Sequence, residues 1–279
     1  MSSSRRIELA GLASVLACAL GACEPKLVVG KMNETNDGAP STCVPAGDGS
    51  AGASSAEKLV EIGWSTGFED GFCGYQPPLG FCYGDPGATR EIVDAPVRSG
   101  SSAAAFTVTS DPALDGRQTR CFLEGTLPAD AVYGAWFYVP ALVESALNWN
   151  LIHFQGGAAP PIFHNLWDVS LARADDGSLT LYVRDFMNGN PNGGDARFPE
   201  MQRPIPIGDW FHVEFRLRRA ADATGLVALY QDESPLLEVP DIVTDDSEIG
   251  QFYVGNLVGA ITPPESTVYV DDVTVRAEP

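Results

Sequence analysis

Residues two apart on an extended strand share a face. Over 149–155 that arithmetic sets Trp149, Leu151, His153 and Gln155 on one side and Asn150, Ile152 and Phe154 on the other. It likewise groups Thr180, Tyr182 and Arg184 opposite Leu179, Leu181 and Val183, and it groups Gln118, Arg120, Phe122 and Glu124. If these faces line one concave sheet, the result is a groove of His, Gln, Tyr, Arg and Trp. Sugars ask for that mixture, because aromatic rings stack on sugar faces while amides and guanidinium forks pair with hydroxyl or carboxylate groups. Trp149, Arg184, Gln118 and Thr180 are the substrate-binding candidates, and His153, Tyr182, Gln155 and Arg120 the candidates for chemistry. The plain alternatives are a sheet histidine with satisfied bonds and an ordinary exposed sheet face. His164, near Pro160-Pro161, reads as a loop residue, with a role at the groove edge as the alternative.

Other chemistries are missing from the sequence. It has no Gly-x-Ser-x-Gly elbow, no phosphate loop and no His-Glu-x-x-His. Cys43, Cys73, Cys82 and Cys121 include no CxxC pair and do not have zinc-ligand spacing, so two disulfides are expected of an exported chain. Three connectivities are open, of which Cys73 with Cys82 is the local one.

Export is read from the beginning of the chain. Arg5-Arg6 precede an apolar run from Leu9 to Leu20 that is too short to span a bilayer and ends at Leu20-Gly-Ala-Cys23. That tetrapeptide resembles the bacterial lipobox, which implies a signal peptide over 1–22 and lipidation of Cys23. Val15-Leu-Ala-Cys18 is a second such box. Residues 23–58 supply the lipidated cysteine and a tether rich in Gly, Ala, Ser, Asp, Asn and Pro, and 59–279 the folded domain. The chain carries 17 basic and 37 acidic residues, a net charge of −20, and loses one more positive unit with the leader. Such a field argues against nucleic acid and anionic headgroups as partners. The expectation is a monomer on the bacterial cell envelope, at the outer membrane or cell surface, touching the membrane through its lipid alone.

From Leu59 onward, short β-branched and aromatic runs alternate with Gly, Pro, Asn and Asp turns, with no sustained helical period. Strands are predicted at 103–109, 119–124, 133–139, 150–155, 167–172, 179–184, 211–217, 226–231, 251–255 and 268–275, with a hairpin turn at Asp175-Asp-Gly-Ser178. The count suits an all-β, two-sheet jelly-roll sandwich.

The order Phe68-Glu-Asp-Gly71, Tyr133-Gly-Ala-Trp-Phe-Tyr-Val-Pro140, Trp149-Asn-Leu-Ile-His-Phe-Gln-Gly156, Ile207-Gly-Asp-Trp-Phe-His-Val-Glu-Phe215, Thr224-Gly-Leu-Val-Ala-Leu-Tyr-Gln-Asp232 and Val268-Tyr-Val-Asp-Asp-Val-Thr-Val275 resembles the concanavalin A-like superfamily. Within it, the likeness is to jelly-roll polysaccharide lyases related to heparin lyase I and to glucuronan and alginate lyases. That resemblance implies β-elimination on uronate glycans, with His153 as base, Tyr182 as acid, and Gln155 with Arg120 or Arg184 neutralising the carboxylate. It also implies a structural calcium held by Glu69 with Asp271 or Asp272. The Glu-x-Asp-x-x-Glu strand of the laminarinase-like hydrolases is absent, and the strand at 211–217 offers Glu214 alone. A lipoprotein binding polysaccharide in its groove is the first reading. A polysaccharide lyase and a structural or adhesion lipoprotein are the alternatives.

Overall fold

The computed structural model describes Cys43 and residues 59–110, 116–145, 149–159, 162–188, 194–245 and 247–278. The chain divides into the units 1–39 and 40–279, and every described residue belongs to the second. The leader and Cys23 therefore lie outside the described residues, as does the tether except for Cys43. No described helix is long and apolar enough to cross a membrane.

Strands are numbered in chain order. The back sheet runs β14 (Ser234–Ile242), β13 (Gly225–Gln231), β12 (Trp210–Arg218), β6 (Asp130–Tyr138), β17 (Glu265–Arg276), β4 (Ala103–Thr109), β3 (Ala88–Val93), with β1 (Trp64–Thr66) paired to β17. The groove sheet runs β11 (Asp195–Arg197), β10 (Leu179–Asp185), β9 (Ile162–Arg173), β8 (Trp149–Ala159), β15 (Ile249–Val258), β5 (Arg117–Gly125), β2 (Gly80–Gly84). A two-stranded piece pairs β7 (Glu144–Ser145) with β16 (Ile261–Thr262). Strands distant in sequence lie side by side in both sheets, and the result is the expected jelly roll.

Alternation along each strand sends one face inward, and the two inner faces meet in a single core. Aromatic rings bridge the sheets: Tyr133 lies 4.9 Å from Phe154 and 4.8 Å from Phe252, and Phe215 lies 5.2 Å from Phe154, measured between ring centroids. One buried amide adds a polar clamp. Asn256 Oδ1 accepts from the Trp149 indole N–H at 3.1 Å, and its Nδ2 donates to the carbonyls of Phe106 at 3.1 Å and Ser266 at 3.0 Å, both on the back sheet.

The disulfides are Cys43–Cys73 and Cys82–Cys121, not the local Cys73–Cys82 pair. Cys82 and Cys121 are directly opposite on β2 and β5, so the second bridge staples an edge strand to its neighbour. The first ties Cys43, within the expected tether, to the domain.

Replacing Asn256 with Ala would leave the buried Trp149 N–H without its partner and remove both bonds to the back-sheet carbonyls. We expect a loss of about 3 kcal/mol in urea unfolding. A loss below about 1 kcal/mol would show that the clamp contributes little.

Candidate functional site

The outer face of the groove sheet carries a polar cavity of about 300 Å³ lined by Gln118, Arg120, Asn150, His153, Gln155, Asn165, Asp168, Arg184, Phe186 and Leu257. Strand register explains the convergence. Phe122, Tyr253, His153, Asp168 and Arg184 stand directly opposite one another across β5, β15, β8, β9 and β10. Beside them runs a second row of Glu124, Gln251, Gln155 and Asn165, and on the other side a third of Gln118, Leu257, Asn150, Ser170 and Tyr182.

At the centre, His153 pairs through Nδ1 with the Asp168 carboxylate, and both side chains are buried. A carboxylate accepts, so Nδ1 carries the hydrogen in the neutral ring and Nε2 keeps its lone pair. Nε2 has no hydrogen-bond partner among the described residues. Burial lowers the His153 pKa below the ordinary histidine value; Asp168 opposes that shift, while Arg120 and Arg184 reinforce it. The imidazole is therefore neutral at neutral pH and able to take a proton.

Tyr253, on the adjacent strand, has its ring 5.2 Å from that of His153. Its hydroxyl lies within donating reach of two acceptors, Gln155 Oε1 at 3.0 Å and Gln251 Oε1, which share its one hydrogen, and burial raises its pKa well above the usual phenol range. Gln251 Nε2 in turn donates to Glu124 at 2.7 Å, and Gln155 Nε2 donates to Asn165 at 3.1 Å.

Arg120 is 4% exposed, with its guanidinium 4.6 Å above the Tyr253 ring. Its Nη2 donates to the Tyr83 hydroxyl at 3.1 Å and to Gln118 Oε1, and Tyr83 also donates to Gln118 at 3.0 Å. Among the described residues the Nε and Nη1 hydrogens have no partner, and no carboxylate forms an ion pair with the side chain. A buried cation in that state calls for an anion. Gly255 stands opposite Arg120 at φ +142°, and a Cβ there would lie 2.6 Å from the Thr119 carbonyl oxygen. Glycine alone permits this close approach.

The sequence-predicted residues divide accordingly. His153, Gln155, Arg120, Gln118 and Arg184 come together in the cavity. Trp149 does not. β8 carries an extra residue between Asn150 and Ile152 relative to β9, so the face alternation shifts and Trp149 and Leu151 turn into the core. Thr180 is 1% exposed, bridges to Pro204 and does not line the cavity. Tyr182 lies two strands and one row from His153, about 12 Å between Cα atoms. It is stacked on Phe198, with its pKa raised by burial. Sequence reasoning missed Asp168 and Tyr253, although both lie in visibly alternating runs, Trp167-Asp-Val-Ser170 and Gln251-Phe-Tyr-Val254.

Of the expected metal residues, Asp271 and Asp272 lie on β17, an interior strand of the back sheet, and Glu69 lies just after β1. Glu69 accepts from the backbone N–H groups of Ser101 at 2.9 Å and Ser102 at 3.2 Å and from the Ser101 hydroxyl at 2.7 Å; these bonds lower its pKa. Asp271 accepts from the N–H groups of Arg98, Ser99 and Asp272 at 3.0, 3.2 and 2.8 Å, and Asp272 accepts from the Ser99 hydroxyl at 2.8 Å. These acids hold the loop over 98–102. No group of three or more His, Cys, Asp and Glu placed to hold a metal occurs among the described residues.

No protein-family model matches this chain, and no curated protein sequence matches it. Among solved structures it is similar to the endo-β-1,4-glucuronan lyase from the fungus Trichoderma reesei, with 18% identity and a TM-score of 0.59 over 78% of this chain and 96% of that one. It is similar to the marine PL-14 alginate lyase from Aplysia kurodai, with 11% identity and a TM-score of 0.54 over 78% of this chain and all of that one (100%). A third likeness is to Cip1, a cellulose induced protein, at 13% identity and a TM-score of 0.52 over 77% of this chain and 97% of that one. What is shared is the fold. The chain has the jelly roll of these two polysaccharide lyases, and its groove is described by its own residues.

The histidine account has a measurable sign. Because the folded-state pKa of His153 is depressed, the unfolded chain binds more protons below about pH 6.5. Its contribution to stability is therefore complete above that pH and is lost as pH falls toward the folded value. His212, also lowered mainly by burial, adds a slope of the same sign. In urea unfolding at a series of pH values, we expect wild-type stability to fall between about pH 6.5 and 5, and His153→Gln to flatten part of that fall. An unchanged slope in the variant would mean that His153 is not held neutral by the fold.

Proposed function

We propose that the groove binds an acidic polysaccharide and cleaves it by β-elimination. The observation that carries this reading is Arg120, a buried guanidinium with two nitrogens that have no partner among the described residues, set in the same cavity as a neutral histidine. A uronate carboxylate supplies the missing anion, and pairing it with Arg120 makes the adjacent C5 proton easier to remove. The similarity to glucuronan and alginate lyases supports the substrate class through the fold they share.

In this reading His153 Nε2 takes the C5 proton. The electron pair of that C–H bond becomes the second bond between C4 and C5, and the C4–O bond breaks. The leaving oxygen takes a proton from the Tyr253 hydroxyl, the tyrosine nearest His153. Asp168 holds the imidazole and stabilises it once protonated, while Arg184 adds positive charge on the far side of the groove. Tyr182, the acid implied by resemblance, stands outside this set.

A second reading rests on the closure of the polar network. The Tyr253 hydroxyl and the Gln155 amide already have protein partners, as a groove that binds glycan without turning it over would have. Placement on the bacterial envelope through lipid on Cys23 completes the proposal, with palmitate labelling lost in Cys23→Ser as its check.

Turnover separates the two groove readings. With polyuronates and glycosaminoglycans as substrates, elimination gives an unsaturated uronate that absorbs in the ultraviolet. We expect His153→Ala to lower that rate by at least about a hundredfold while retaining most glycan affinity. Glycan retention with no absorbance change in wild type would leave a binding protein.

A further inference from the structure

A second cavity of about 330 Å³ lies near the β10–β11 edge of the groove sheet, lined by Val143, Trp149, Leu171, Ala172, Arg173, Leu179, Tyr182, Ala196 and Phe198. Its composition differs from that of the first. Phe198 stacks on Tyr182 with ring centroids 4.9 Å apart and planes 18° apart, yet remains 47% exposed. A phenylalanine packed against a tyrosine and still open to solvent offers a fixed apolar surface. Arg173 stands at the rim, paired with Glu144 at 2.7 Å.

The two cavities are connected by the third cross-strand row. From Gln118 and Leu257 it passes to Asn150, which lines the first cavity, then to Ser170 and to Tyr182, which lines the second. Asn150 Oδ1 is buried and has no hydrogen-bond partner among the described residues, and the Ser170 side chain hydrogen-bonds Tyr182. The strip between the cavities is therefore polar, while its far end is aromatic. A peptide side chain would suit the aromatic end alone. A chain of sugar rings suits both, since each ring has hydroxyl groups at its edge and C–H groups on its face.

We infer that Tyr182 and Phe198 form a distal sugar-binding platform, where rings of the same acidic glycan stack beyond the unit held at His153. This rests on the proposed function, because the occupant is the continuation of the glycan bound there. The platform lies about 12 Å from His153, between Cα atoms of Tyr182 and His153, too far for one sugar ring to bridge. It therefore acts on long ligands and leaves the shortest ones unaffected.

The test is calorimetric titration of full-length protein with oligoglucuronates and neutral β-glucan oligomers of graded length, comparing wild type, Phe198→Ala and Phe198→Tyr. Phe198 is exposed, so the substitutions do not open the core. Wild type should gain affinity with length. Phe198→Ala should lose roughly threefold to tenfold on the longest ligands and nothing on the shortest, and Phe198→Tyr should restore the gain. An identical length dependence in wild type and Phe198→Ala overturns the platform and leaves the groove reading intact. Binding of neutral oligomers alone, with the Phe198→Ala loss, supports the platform and overturns the acidic-glycan reading. Absence of binding to wild type by either series overturns both.

Discussion

The mismatch between β8 and β15 joins the core to the groove. Between the pairs Val254–Ile152 and Leu257–Asn150, β15 has two residues, Gly255 and Asn256, where β8 has one. Asn256 points into the core, where it holds the Trp149 indole and two carbonyls of the other sheet. Gly255 brings its backbone close against Arg120. The same stretch of β15 thus anchors one sheet on the other and packs against the groove cation. Local departures of this kind re-aim side chains without changing the sheet.

The groove concentrates charge that the chain as a whole opposes. A protein of net charge −20 repels polyanions at long range, yet physiological salt screens such fields within about 8 Å. Within that distance the groove presents Arg120 and Arg184 near a histidine kept neutral by burial. Selectivity would then come from a fixed guanidinium at contact distance, with the overall field discouraging loosely held anions.

The sequence was most legible where strands are central. Ala103–Thr109 was read to the residue, and the other predicted strands fall on observed ones within a few positions at each end. The longer strands missed are β2, β3 and β14, and each lies at a sheet edge. Edge strands carry the glycines, prolines and charges that protect an open ladder, as with Gly80 and Gly84 in β2, Arg90 and Glu91 in β3, and Pro235 and Pro240 in β14. Those residues weaken the alternation that identifies a strand. Period-two reasoning likewise placed His153 and Gln155 correctly but Trp149 on the wrong face, because a bulge has no clear mark in the sequence. The disulfide partners are set by which strands become neighbours, and sequence spacing does not encode that.

The central claim is that Arg120 recognises a carboxylate. The direct measurement is binding of a polyglucuronate, and of the same polymer with its carboxyl groups reduced to alcohols, to the full-length protein at matched salt. The account requires the acidic polymer to bind and the reduced one to lose at least about tenfold in affinity, since the Arg120 N–H groups would again lack an anion. Equal affinity for the two polymers would contradict it and would assign the groove to neutral hydroxyl recognition.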